Sequence, residues 1–221
     1  MTPTSRPEIP ASELAQRIGD AIRPAVQKAW TSDRVQMLRR VIQGAHMPNA
    51  SGQKLLTAHH EVVVANRAER SATTTLVVEA TAEDVRGWSI SVDLAQQQVS
   101  AEALLGCRLG RVIPVDEGAQ VYEFLFEPPL AKSDNRRTQH RLTFTGDAEC
   151  TTTGYSLSRP AQLLTLTVNF EGEQPKKVWQ TTKGAQEDAE TKVVQELSVA
   201  PMVEVVLSNP GPGLHALEWE W

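Results

Sequence analysis

Histidine, cysteine and carboxylate side chains ligate metals and move protons, and their spacing decides whether they act together. His60-Glu61 opens like the helix of a zinc protease, but the place of the second histidine is taken by Val64. The β-branched run Val62-Val63-Val64 predicts a strand there, so the zinc motif is rejected. In a strand the adjacent His59 and His60 point to opposite faces and do not serve one metal. A site drawing on His46, His140 and Cys150 lacks close ligand spacing, so the histidines read as polar strand-end residues and no metal is expected.

Nucleophiles fare no better. Gly154-Tyr155-Ser156-Leu157-Ser158 departs from a nucleophile elbow at its last position and is expected to be a loop. Cys107 would be a reactive thiol if Arg108 lowered its pKa, but the expected reading is a small buried hydrophobe. Gly106 and Gly110 stand alone around Cys107-Arg108-Leu109, without a glycine-rich phosphate cradle, so no cofactor is expected.

One cluster points to recognition. Arg34, Arg39 and Arg40, joined by Lys28, fall on a segment predicted to be helical, whose other side carries Trp30, Val35, Leu38, Val41 and Ile42. Trp30, Arg34, Leu38, Arg39 and Arg40 are therefore the candidate partner contacts. The apolar side must pack on the rest of the chain or pair with another one. The arginines read first as a solvated face, with a nucleic-acid or acidic-partner patch as the disfavoured alternative.

The elements that position these residues follow from periodicity. Residues 1–10 hold three prolines and no pattern, which predicts a flexible tail. Residues 11–50 predict a helical extension, starting at Ser12-Glu13, interrupted at Pro24 and ended by Gly44. From residue 51 the period becomes two. Leu164, Leu166, Val168 and Phe170 alternate with Thr165, Thr167 and Asn169; Tyr122, Phe124 and Phe126 alternate with Val121, Glu123 and Leu125. Residues 51–221 are thus expected to form a mainly β domain of about nine to eleven strands, an antiparallel β-sandwich of Ig-like or related type.

In this scheme residues 67–70 are a polar connection, Pro128-Pro129 ends the aromatic strand, and residues 132–137 and 183–191 are loops. Residues 94–105 are left open between loop, helical turn and edge strand. The four core residues of 164–170 are expected to face Phe124, Phe144 and Trp219.

The bulk numbers agree with an ordered body. At 221 residues, folding should bury roughly 70% of the unfolded surface. A net charge of -5 with scattered basic residues gives no field for gathering phosphate backbones. Neither a secretory signal nor a membrane-length apolar run is present, so a cytoplasmic location with Cys107 and Cys150 as thiols is expected.

From about residue 60 onward the order of features resembles the C-terminal β-rich domain of actinobacterial Xre-type helix-turn-helix regulators. The matching stretches are 61–67, the aromatic strand 122–127, Arg141-Leu142-Thr143-Phe144, the alternation over 164–170, and the ending Gly213-Leu214-His215-Ala216-Leu217-Glu218-Trp219. The resemblance implies a sensing or protein-contact role and carries no catalytic residues across. The expected function is a non-catalytic sensor, adaptor or regulatory interaction module, with a protein partner or self-association through the N-terminal helices. The alternatives are an enzyme with a site built from loops 131–137 and 183–191, and a DNA-binding regulator using Arg34, Arg39 and Arg40.

Overall fold

The computed structural model describes residues 41–42, 44–48, 50–93, 98–116, 118–184 and 193–221. The expected tail over 1–10 and nearly all of the helical extension over 11–50 lie outside them, with Trp30, Arg34, Leu38, Arg39 and Arg40. The rest is mainly β: thirteen strands, β1 Gln53–Ala65, β2 Ala68–Ala80, β3 Val85–Asp93, β4 Gln98–Leu105, β5 Arg108–Asp116, β6 Ala119–Leu130, β7 Asn135–Thr145, β8 Thr152–Leu157, β9 Leu163–Glu171, β10 Lys177–Gly184, β11 Val193–Leu197, β12 Met202–Ser208 and β13 Gly213–Glu220. Among the described residues no helix is long and apolar enough to cross a membrane.

The strands form a six-stranded sheet, β12-β9-β1-β2-β7-β4, a four-stranded sheet, β11-β10-β13-β8, and a three-stranded sheet, β3-β6-β5. The two small sheets lie side by side against one face of the large one. Phe170 on β9 meets Trp219 on β13 edge-on, with ring centroids 5.2 Å apart. Over the other half, His140 on β7 packs on Phe124 of β6 at 4.5 Å, and the Tyr122 hydroxyl donates to the Val99 carbonyl of β4 at 2.9 Å. Leu164, Leu166, Val168, Phe124 and Trp219 are buried in one continuous core, and Phe144 packs at its edge.

Several expectations change. The sandwich is not wholly antiparallel, because β1 and β9 run parallel from Thr57↔Leu163 to Ala65↔Glu171. Both sit inside the large sheet, flanked by antiparallel neighbours. The connection expected over 67–70 shrinks to Asn66-Arg67, whose φ values of 52° and 62° suit a tight two-residue hairpin. Ala68 and Glu69 are buried at the start of β2.

The aromatic strand passes through Pro128-Pro129 to Leu130. The prolines fall where the ladder to β3 is interrupted between the pairs Gly87↔Leu125 and Val85↔Leu130, so their missing donors break no bond to β3. The loop expected at 132–137 yields to β7 from Asn135, Ser156 lies on β8 rather than in a loop, and residues 98–105 are strand β4. The expected strand count was low because short stretches such as β8 carry too few apolar residues to show alternation.

Candidate functional site

The apolar series that ends the extension is settled for its last residues. Val41, Ile42 and Gly44 are helical. The Ala45 N–H donates to Val41 at 2.9 Å and the Met47 N–H to Ile42 at 3.0 Å, with His46 at φ 50°. The left-handed residue is His46, not Gly44, and the six-to-one bond from Met47 is that of a Schellman turn. Met47 and Val121 are buried together, with Ile42, Ala45, Ile113 and Val115 packed on them. Of the two fates expected for this apolar side, Ile42 takes the packing on the sheet.

Beside this turn lies an open cleft of about 630 Å³, lined by His46, residues 82–86, Arg108, Arg111 and several β6 residues. Its arginines are each paired with a carboxylate: Arg86 with Asp84 at 2.8 Å, Arg108 with Glu127 at 3.1 Å, and Arg111 with Glu123 at 2.7 Å. Hydrogen bonds from Arg111, aided by its charge and opposed by desolvation, hold the Glu123 carboxyl below its ordinary range. The same Arg111 donates from Nη1 to the Ala45 carbonyl at 2.8 Å, which ties the turn to β5. Arg108 and Arg111 thus join β5 to β6, and Arg111 ties in the entering chain, while Arg86 bonds only its near neighbour Asp84.

The histidines separate as the strand period requires. On the outer face of the large sheet, Thr167 donates to Glu204 Oε2 at 3.1 Å, and His59 Nε2 lies 3.0 Å from the same hydroxyl. On the inner face, His60 Nδ1 lies 2.9 Å from Thr74 Oγ1, with its ring 6.0 Å from that of Tyr155. His140 is buried among Trp88 and Phe124, and burial lowers its pKa to about 4. Among the described residues no three His, Cys, Asp or Glu side chains converge on a common point.

Both cysteines are free. Cys107 is half-buried, donates weakly to the Gln139 carbonyl at 3.7 Å, and is pushed up to about 11 by burial in spite of that contact. That is the opposite of an activated thiol. Cys150 is buried, with Sγ 3.3 Å from the Thr152 carbonyl.

A different surface stands out by composition. Of the seven large apolar side chains exposed among the described residues, five lie between residues 193 and 206: Val193, Val194, Val199, Met202 and Val206. β11 is the edge of the four-stranded sheet and β12 the edge of the six-stranded one. The short link over 198–201 keeps both edges on the same side of the molecule. Met202 and Val206 are 57% and 55% exposed, while Val203 and Val205 of the same strand are buried.

The backbone of β12 can be assigned as well. Phe170 N–H donates to the Pro201 carbonyl and Asn209 N–H to the Gln162 carbonyl. Both bonds lie in the unbroken register that pairs Met202 with Asn169 and Ser208 with Leu163. Backbone groups alternate sides along a strand, so odd-numbered residues of β12 face β9. Met202, Glu204, Val206 and Ser208 turn theirs to the outer edge, where no other described strand pairs with them.

Three of the other edges are blunted in ways this one is not, whereas β8 and β11 share its regular pairing. β5 and β3 carry register shifts in their pairing with β6, and β4 in its pairing with β7; β5 also contains Pro114. β12 has neither a shift, an internal proline nor a lysine, the usual devices that discourage pairing. The sequence showed β12 as a strand with Val203, Val205 and Leu207 on one face, but not as an edge. The residual signal was Met202 and Val206 on the supposedly wet face.

No family model and no curated protein matches the sequence. Similar solved structures include a protein described as a putative protease from Parabacteroides distasonis ATCC 8503, with a TM-score of 0.48, 7% identity, and coverage of 77% of this chain and 41% of that one. The M1 zinc metallopeptidase from Deinococcus radiodurans aligns with a TM-score of 0.39 and 14% identity over 77% of this chain and 43% of its own. Native yeast LTA4 hydrolase aligns with a TM-score of 0.38 and 10% identity, over 78% and 30%. This chain spans less than half the length of each, and likenesses this shallow carry no argument about activity.

Proposed function

We propose that this chain is a non-catalytic protein-interaction module of the adaptor or regulatory kind, and that its contact surface is the side formed by β11, residues 198–201 and β12. The observation that carries the reading is the concentration of exposed valines and Met202 along β11, residues 198–201 and β12, where β12 turns a row of backbone donors and acceptors to an edge that no other described strand pairs. Apolar anchors beside an unpaired edge are what strand addition uses: main-chain bonds supply affinity and alternate side chains supply selectivity. Water solvates such a stripe poorly, so covering it is favourable.

The paired arginines of the cleft favour the same reading over an enzyme. Arg86, Arg108 and Arg111 are already bonded to carboxylates, and the last two join β5 to β6. A cytoplasmic location accords with two free thiols in one chain. The expected contribution of Trp30, Arg34, Leu38, Arg39 and Arg40 to partner binding, and the DNA-binding alternative, belong to residues outside those described.

The test is affinity capture from the native host with the wild-type chain and with Met202→Lys and Val194→Glu variants. A stoichiometric partner retained by the wild type and lost by both variants is the expected result. A partner indifferent to both substitutions would overturn the assignment of the surface.

A further inference from the structure

Resting on that reading of the edge, we propose that its occupant is a second copy of this chain, paired antiparallel through β12 about a two-fold axis at Val205. The free edge bonds belong to Met202, Glu204, Val206 and Ser208, and a self-pair must set these residues opposite one another. Centring on Glu204, Val205 or Val206 pairs at least three of the four with one another, more than any other register does. Centring on Glu204 places the two Glu204 carboxylates directly opposite, which is repulsive. Centring on Val206 runs Met202 out against Pro210, which has no donor, and wastes one end of the strand.

Centring on Val205 pairs Met202 with Ser208 and Glu204 with Val206, and the reverse on the other side of the axis. Every free edge residue of both copies then has a partner. Each Glu204 lies beside an apolar side chain while keeping the Thr167 hydroxyl bond of its own chain. On the inner face the seam brings Val205 against Val205 and Val203 against Leu207, joining the two apolar layers. Because β12 has no register shift along its length, the edge is regular enough for the whole strand to pair.

The experiment is sedimentation velocity on the full chain across a dilution series, with three variants at one position. The wild type is expected to shift from the 24.3 kDa monomer to a dimer. Val206→Pro removes an edge N–H without touching the β9 ladder, so it should give a monomer with an unchanged circular dichroism spectrum. Val206→Glu sets two like-charge pairs against Glu204 and should weaken the dimer about tenfold. Val206→Lys sets two opposite-charge pairs in the same places and should keep or tighten it.

A dimer weakened equally by Val206→Glu and Val206→Lys, or indifferent to Val206→Pro, would overturn the pairing. So would a wild type that stays monomeric throughout. A monomer that nevertheless loses its cellular partner on Met202→Lys would overturn only the self-pairing and leave the interaction surface standing.

Discussion

Arg111 on β5 holds Glu123 on β6 by three donors: its backbone N–H at 3.0 Å and Nε at 3.1 Å, both to Oε2, and Nη2 at 2.7 Å to Oε1. The carboxylate is 5% exposed and the guanidinium half-exposed. Removing the arginine side chain leaves a buried carboxylate with only one backbone donor, so Arg111→Ala should destabilise the fold and lower the urea midpoint. Glu123→Gln should cost less, because a neutral amide is easier to bury. Urea denaturation of the two variants checks the order. The Glu123 carboxyl titrates below its ordinary range when folded, so this pair's contribution is present above the unfolded pKa and is lost as pH falls through the folded one.

Gly110 makes that clamp sterically allowed. A Cβ at this position would stand 2.4 Å from Glu123 Oε2. Gly87 is tighter, at φ 150° with a Cβ position 1.9 Å from the Phe124 carbonyl oxygen. Backbone cannot yield as a side chain can, so Gly87→Ala should destabilise by about 3 kcal/mol and Gly110→Ala by less, with Arg111 freed from Glu123. Thermal unfolding of both variants should rank them in that order.

His140 should make the fold sensitive to mild acid. Its pKa falls from 6.5 to about 4 on burial, so between these values the unfolded chain binds more protons and stability rises with pH. The full contribution is kept above pH 6.5 and lost on acidification, about 3 kcal/mol by pH 4. His140→Phe, which keeps a ring against Phe124 and Trp88, should flatten the stability profile between pH 4 and 6.5. An unaltered profile in that variant would place the acid sensitivity elsewhere.

Cys107 should be sluggish toward alkylation. A thiol raised to about 11 is ionised at pH 8 on the order of a hundredfold less than a free cysteine. Iodoacetamide labelling of the native chain followed by peptide mapping should show it, with rapid labelling restored in urea.

What could be read from the chain was what local alternation carries. The faces of 121–126, 164–170 and 202–207 were legible because strand side chains alternate regardless of which strand lies alongside. His59 and His60 were separable on the same ground. The N-terminal candidates Trp30, Arg34, Leu38, Arg39 and Arg40 rested on helical spacing in residues outside those described. The apolar stripe escaped notice because Val193, Val194, Met202 and Val206 are the residue types that a covered strand also uses.

The sequence by itself determined a mainly β chain, the two faces of its clearest strands and the aromatic core layer of Tyr122, Phe124 and Phe126. Only the tertiary structure decided that residues 57–65 run parallel to residues 163–171, that Arg111 finds Glu123, and that β12 ends its sheet with Met202 and Val206 uncovered. The physical reason is that a period of two tells inside from outside within a strand, whereas neighbour, direction and edge are set by hydrogen bonds and packing between segments far apart in the chain.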